Sequence, residues 1–399
     1  LREEGFATGR LVALGQYAET FPERLVGPAG PFDACILGEP ERTVVELASG
    51  ADLSAVNGVA YPAHGGNALV RTPPRELIED IDELPQPAFE LFDLDRYRKQ
   101  AAFVPVAGKV RWGWILSSRG CPFRCIFCSP TLRKSWGEHF RGHSPRYVVD
   151  LMERLVRVHG CNAIAFEDDV FTGSRNRTLA ICDEVIARGL KVAWTAETHL
   201  ATIDEEVARR MYAAGCRGVC AGIEAGNDEV RARIKRNSLK RETLEQNVAM
   251  LRSIGIDLTL YFMIANPGET IAQMEETLAL ARRLKPMLIQ LAFFTPYPGS
   301  QAWEEFHPDA DMDDKMSHYD TFPVNLSAAS REEVLAFYGR FYRGFYLDPA
   351  YVARYVARRM PYALLQGGKG EIGLILHALA LFAAPVLGLL ARSRDRGEP

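Results

Sequence analysis

The chain has little that would recruit a polyanion: its 47 Lys and Arg are outnumbered by 51 Asp and Glu, for a formal charge of -4. Non-specific nucleic-acid affinity rests on clustered Lys and Arg, so no nucleic-acid partner is expected and a small-molecule substrate is the better expectation. Cysteine is sparse as well, eight in 399 residues, too few for a disulfide scaffold. No basic, then apolar, then small-residue leader is visible after Leu1, so a cytoplasmic location is expected, with a missing upstream segment left open. Disorder and fibrous repeats are excluded by composition, since 47% hydrophobic and 25% charged residues is ordinary globular material.

The N-terminal stretch carries two short apolar strands, Leu11 to Leu14 and Ala34 to Leu37, a helix-like stretch after Pro22, and a helical Val44 to Ala48 after the Gly38-Glu39-Pro40-Glu41 turn. Two strands cannot build a core alone, so residues 1–70 read as the end of an α/β domain. Residues 71–105 form a linker, marked by Pro73, Pro74, Pro85 and Pro87 among acidic residues. Over 106–300 apolar strands alternate with amphipathic helices: Trp114 to Ser117, Ala163 to Phe166, Val192 to Thr195, Gly218 to Ile223, Leu258 to Ile264 and Leu288 to Phe294. Ser144-Pro145 opens a helix over Val148 to Val158 that Gly160 ends, and Gly255 ends another that runs from about Glu242. Such alternation implies a parallel sheet, either an open barrel or a doubly wound sheet.

Residues 301–370 become helical, with Glu332 to Arg359 rich in Tyr and Phe; a stripe at that spacing reads as core packing before it reads as a substrate wall. The last part, 371–399, holds the apolar run Ile372 to Ala391, followed by Arg392, Arg394 and Arg396. At about 1.5 Å per residue it would reach roughly 30 Å, so membrane contact through 372–391 stands beside a helix docked on the protein.

Three of the cysteines crowd into Cys121-Pro122-Phe123-Arg124-Cys125-Ile126-Phe127-Cys128, directly after the first barrel strand. The C-terminal ends of parallel strands are the functional edge of α/β folds. Three thiolates can hold three irons of a 4Fe-4S cubane and leave the fourth open. The alternative is a structural zinc-binding protein with a Cys3His site completed by His139 or His143. Cys35, Cys161, Cys182, Cys216 and Cys220 are scattered and read as small buried hydrophobes.

The spacing of those cysteines, with Phe127 before the last, resembles the signature of the radical S-adenosylmethionine (SAM) superfamily. The resemblance implies an α/β fold with a partial (β/α)6 TIM-like barrel, a 4Fe-4S cluster on Cys121, Cys125 and Cys128, and SAM as cofactor. It further implies that Phe127 and the strand-end residues Glu167, Asp168, Asp169, Glu224, Asn266 and Pro267 contact SAM. Glu167-Asp168-Asp169 sits where the family contacts the SAM amino group, although three acids at a strand end also make a solvated turn. Glu224, in Gly222-Ile223-Glu224-Ala225-Gly226, stands where a ribose hydroxyl is held, although glycines there also serve tight strand-to-helix packing. Ala265-Asn266-Pro267-Gly268-Glu269-Thr270 resembles the family's Gly-x-Pro-Gly-Glu-Thr turn, with Ala265 in place of glycine. Thr295-Pro296-Tyr297-Pro298-Gly299-Ser300 resembles its Pro-Tyr-Pro-Gly-Thr turn. Lys235 matches a recurrent lysine, although a surface lysine is the simpler account.

Over roughly residues 11 to 360 the turns resemble the cobalamin (B12)-dependent branch. Residues 1–70 then imply the remnant of a Rossmann-like cobalamin-binding domain, truncated at its start, and cobalamin joins the cofactors. The Asp-x-His-x-x-Gly motif of many such domains is absent, since His64 lacks the preceding Asp. The implied activity is a C-methyltransferase acting on an unactivated carbon of a small hydrophobic molecule such as a lipid, terpenoid or tetrapyrrole. The nearest rival is an oxidative cyclase of the magnesium-protoporphyrin ester type. A reductase such as flavodoxin or ferredoxin is the implied partner. No residue is singled out as catalytic.

Overall fold

The computed structural model describes residues 9–365 apart from 28–29, 64–67, 95–109, 129–134, 138, 307–321 and 323. The apolar run 372–391 and its basic tail lie outside the described residues, among which no helix is long and apolar enough to cross a membrane.

Strands β1 (Val12–Ala13), β2 (Ala34–Ile36), β3 (Val59–Pro62) and β4 (Leu69–Arg71) form one sheet in that order. β1 and β2 are parallel; β3 and β4 add antiparallel. The sequence pattern shows only the first two strands, because β3 and β4 are short and β3 ends in Pro62. With four strands the sheet does bury apolar side chains, Ala13, Val26, Cys35 and Ala60 on one face and Ala34, Val56 and Val59 on the other.

The larger sheet contains β5 (Trp112–Ile115), β8 (Ala163–Phe166), β9 (Ala193–Thr198), β10 (Cys216–Glu224), β11 (Asp257–Ile264) and β12 (Leu288–Phe293), all parallel and in chain order from β5 to β12. β5 and β12 do not pair, so the barrel is partial and open on one side. A small antiparallel pair, β6 (Ser118–Arg119) with β7 (Arg141–Gly142), flanks the cysteine loop.

The strand period of two decides the core. Ile115, Ile164, Phe166, Trp194, Val219, Leu258, Leu260 and Leu291 point outward, where they bury against Val149, Met152, Ile181, Met211, Val248 and Leu280 of the surrounding helices. The helix ends follow their caps. Ser144 accepts the Tyr147 N–H at the start of Pro145–Arg157, Gly255 takes the left-handed turn that ends Arg241–Ile254, and Thr270 and Ser330 form capping boxes with Gln273 and Glu333.

The aromatic stretch after Glu332 makes two helices, Arg331–Tyr346 and Pro349–Leu365. Pro349 lacks an N–H and cannot continue the first helix, and Asp348 accepts the Ala350 N–H at the start of the second. Phe337, Phe341 and Phe345 are core. Tyr342 and Tyr346 do something the spacing does not reveal. Their phenols hydrogen-bond the open edge of β12, Tyr342 accepting the Leu291 N–H and Tyr346 bonding both N–H and C=O of Ile289. An edge strand so covered offers no template for further pairing.

The turn after β2 meets the β6–β7 pair at a buried ionic junction. Glu39, 2% exposed, places Oε1 2.7 Å from Arg119 and 2.9 Å from Arg141, while its Oε2 accepts the Ile78 N–H at 2.8 Å. Arg119 also reaches Glu41. Burial would raise the Glu39 carboxyl, but its bonds from Arg141, Ile78 and Arg119 outweigh that and hold it below the usual carboxylate range.

Candidate active site

The cysteine loop is fixed by backbone bonds at both of its sides. Ile126 donates to the Ile234 carbonyl at 3.0 Å and accepts from the Ala302 N–H at 2.9 Å. Its buried side chain packs with Ala225, Ile234, Met263 and Phe294. Gly120, at φ 84°, must be glycine, because a Cβ there would collide with the His139 carbonyl. Phe123 stacks on His199 with ring centroids 3.8 Å apart. Burial, helped by Lys235, pushes His199 down to about 3, so that ring stays neutral.

Cys121, Cys125 and Cys128 are all half-buried, and none of them is in a disulfide. Burial pushes the Cys121 thiol up to about 11, with a lesser contribution from Cys125 and Asp169, so the bare thiol keeps its proton until a metal displaces it. Beside the loop stands Lys235, only 3% exposed, so it is no surface lysine. Its Nζ lies 3.1 Å from Glu224 Oε1 and 3.2 Å from the Gly222 carbonyl. Burial opposes its charge, but Glu224 and the Cys125 and Cys128 sulfurs outweigh that and keep it protonated. Gly222 makes this approach possible, since a Cβ there would collide with Glu224 Oε1. Glu224 itself sits at φ 67°, just past a register shift in the pairing of β10 with β11.

The acidic run at the end of β8 divides by strand parity. Glu167 faces the barrel interior and Asp169 lies at the cysteine loop, where it accepts the Gly120 N–H; burial, then the neighbouring Asp168, pushes Asp169 up to about 6. Asp168 points the other way, 1% exposed, accepting from the Ser117 and Ser118 hydroxyls. It anchors the start of the cysteine loop and is turned away from the cavity.

Asn266 is also turned inward. Fully buried, it gives its backbone N–H and Nδ2 to Glu269 Oε2 at 3.0 and 2.9 Å, and Nδ2 also to the Met263 carbonyl. Pro267 is buried, with its carbonyl accepting from Arg233 at 3.1 Å. The turn is therefore rigid, and left-handed Ala265 takes the place of a glycine.

Phe127, Cys128 and Glu224 line one cavity of about 300 Å³ with Tyr261, Met263, Gln290, Phe293 and Tyr297. Below it, about 440 Å³ of barrel lumen is walled by Trp114, Glu167, Glu197, Cys220, Tyr261 and Gln290, among others. Tyr261, Gln290 and Glu197 were not singled out from the sequence. Their signal is a polar residue at an inward position of a strand that is otherwise apolar.

The donor set suits a cluster better than a single ion. Among the described residues no three His, Cys, Asp or Glu side chains converge tightly enough for one metal ion. His143 is engaged elsewhere, bonded to Asp82 at 2.9 Å and stacked on Tyr147, and His139 is exposed. Three thiols spread over one loop beside a buried cation match a cubane with one thiolate per iron.

Residues 115–281 match the family model of the Radical SAM superfamily. The chain is 33% identical over 298 residues to an uncharacterized methyltransferase of Pyrococcus horikoshii, covering 73% of this chain and 62% of that protein. It is 30% identical over 357 residues to the anaerobic magnesium-protoporphyrin IX monomethyl ester cyclase of Rubrivivax gelatinosus, covering 86% of this chain and 61% of that one. The chain thus spans about three fifths of the length of these curated relatives. In fold it resembles the cobalamin-dependent S-adenosylmethionine radical enzyme OxsB, with a TM-score of 0.69 at 14% identity, over 96% of this chain and 64% of that one.

Proposed function

We propose, from the premise that the chain carries a radical SAM domain, that it is a C-methyltransferase in which Cys121, Cys125 and Cys128 hold a 4Fe-4S cluster and SAM docks against Phe127, Glu224 and Lys235. The observation that carries this reading is the placement of three thiols on one loop beside a buried Lys235–Glu224 pair at the C-terminal mouth of the partial barrel. The cluster, when bound, would supply an open iron for SAM and the electron that cleaves it to a 5'-deoxyadenosyl radical.

The chain's own groups bind, orient and exclude water. Lys235 is a fixed cation that offsets the charge of the thiolates and offers a partner to a carboxylate. Glu224 spends one oxygen on Lys235 and has a second that can accept from a hydroxyl pair. Phe127, Met263 and Phe293 give the cavity an apolar wall that keeps water from a reactive intermediate. Asp169 stands beside Cys121 as an acceptor for an ammonium, and Glu167 lines the lumen below.

Cobalamin is the methyl carrier in this reading. A cavity of about 800 Å³ lies between the small sheet and the barrel, and the chain leaving β1, β2 and β5 meets it at Leu14, Pro40 and Leu116. Leu14, Val44, Val45 and Leu116 stay exposed around it. A ligand at the C-terminal ends of parallel strands is the general arrangement of α/β sheets, and an open apolar wall suits a flat macrocycle. A low-potential reductase such as flavodoxin or ferredoxin completes the cycle. The second reading, oxidative cyclisation of a tetrapyrrole, is favoured by the identity to the Rubrivivax cyclase over 86% of this chain.

Anaerobic iron and sulfide reconstitution of wild type and Cys128→Ala, followed by dithionite reduction with SAM, tests the core. About four irons per chain and 5'-deoxyadenosine in wild type alone are expected. Zinc in place of iron, or no SAM cleavage by a loaded cluster, would sink the reading. Stoichiometric cobalamin uptake together with a methylated product separates methyl transfer from cyclisation.

A further inference from the structure

The barrel lumen carries chemistry that the cluster and SAM do not use. Its wall presents Glu167 from β8, Glu197 from β9, Cys220 from β10, and Asp257 and Tyr261 from β11. Tyr261 donates its phenol proton to Glu197 Oε1 at 2.6 Å, and the Cys220 thiol donates to the same carboxylate. Glu197 is pushed up to about 7, first by burial and then by the charge of Glu167, against the hydrogen bonds it receives. Asp257 is balanced by Arg358 at 3.3 Å, while among the described residues no Lys, Arg or His lines the cavity beside Glu167 or Glu197. Trp112 and Trp114 complete the wall. The cavity shares Tyr261 and Gln290 with the pocket that reaches Cys128 and Glu224, so what binds below is held beside the proposed SAM site.

We infer that the lumen recognises a substrate through a positively charged nitrogen, with Glu197, oriented by Tyr261, as its counter-ion. This rests on the reading of the barrel mouth as the SAM site. An ammonium group would supply the charge that the described residues of the lumen wall lack, and indole faces favour a cation over an anion of the same size. The apolar wall above, from Phe127, Met263 and Phe293, receives the hydrophobic body of the same molecule. The substrate class is therefore an amphiphilic amine, neither a bare hydrocarbon nor an acid. Glu197 and Tyr261 are its specificity residues.

Isothermal titration of the full chain at alkaline pH with 3-phenylpropylammonium and with 3-phenylpropionate tests this, since the probes differ mainly in charge. The cation is expected to bind about tenfold tighter than the anion in wild type, with the preference lost in Glu197→Gln. Equal binding, or a preference that survives Glu197→Gln, overturns the inference. Should that variant not fold, Glu167→Gln replaces it with a weakened preference expected, and the wild-type comparison alone already decides. Cation preference without 5'-deoxyadenosine formation would overturn the SAM reading and leave the lumen site; cleavage without preference would do the reverse.

Discussion

Replacing Glu39 by Gln tests whether the small sheet and the cysteine loop are locked together by charge. Glu39 bonds Arg119 at 2.7 Å and Arg141 at 2.9 Å, and its own side chain is 1% exposed. Removing one partner from a buried ion pair costs about 3–5 kcal/mol, because the remaining charge is left without solvent or counter-ion. The lower end applies here. Arg119 keeps Glu41, and Arg141 keeps the Ile78 and Trp136 carbonyls, so neither guanidinium is stranded. A loss of about 3 kcal/mol follows, or roughly 6–12 °C in Tm for a domain of this size. Urea unfolding followed by tryptophan fluorescence, with calorimetry for Tm, measures it. The sign with pH is an independent check. Because the folded carboxyl titrates below its ordinary value, its stabilisation is present above the unfolded pKa and lost as pH falls through the folded one. The gap between wild type and variant must therefore close in acid. A loss below about 1 kcal/mol, or a gap that stays open at low pH, would refute the reasoning.

Tyr346→Phe should cost about 1–3 kcal/mol by urea titration, because the buried N–H and C=O of Ile289 lose their phenol partner. Gly222→Ala should separate Glu224 from Lys235, since its Cβ collides with Glu224 Oε1; a raised KM for SAM in the 5'-deoxyadenosine assay, with kcat less affected, is the expected readout, and an unchanged KM would remove this pair from SAM binding. Glu197→Gln should raise Tm at alkaline pH and do nothing in acid. The folded carboxyl is raised to about 7, so the wild type alone loses stability as pH rises from the unfolded pKa and that loss is complete above about 7, while below the unfolded pKa both proteins are neutral there. A variant less stable than wild type at alkaline pH would contradict the sign.

The barrel was legible in the sequence because a strand and its helix are written in neighbouring residues. Apolar runs marked the six strands to within a few residues, and Ser144-Pro145 and Gly255 marked helix ends, since caps act within one turn. The loop with Cys121, Cys125 and Cys128 could be placed at a strand end for the same reason. β3 and β4 were not legible, because strands of four and three residues are too short to show a period.

Direction and partnership were decided only by the tertiary structure. Glu167, Asp168 and Asp169 look alike in sequence, yet the packing around the end of β8 holds Asp168 under the cysteine loop and leaves Glu167 in the lumen. Lys235 looks like a surface lysine on a short charged helix until that helix packs against the loop and buries it beside Glu224. Glu39 meets Arg119 and Arg141 across 80 and 102 residues of chain, and Tyr346 reaches β12 across 57. Local propensity and side-chain period depend on the next few residues, whereas the cost of burying a charge or a backbone edge depends on whatever the fold brings to it.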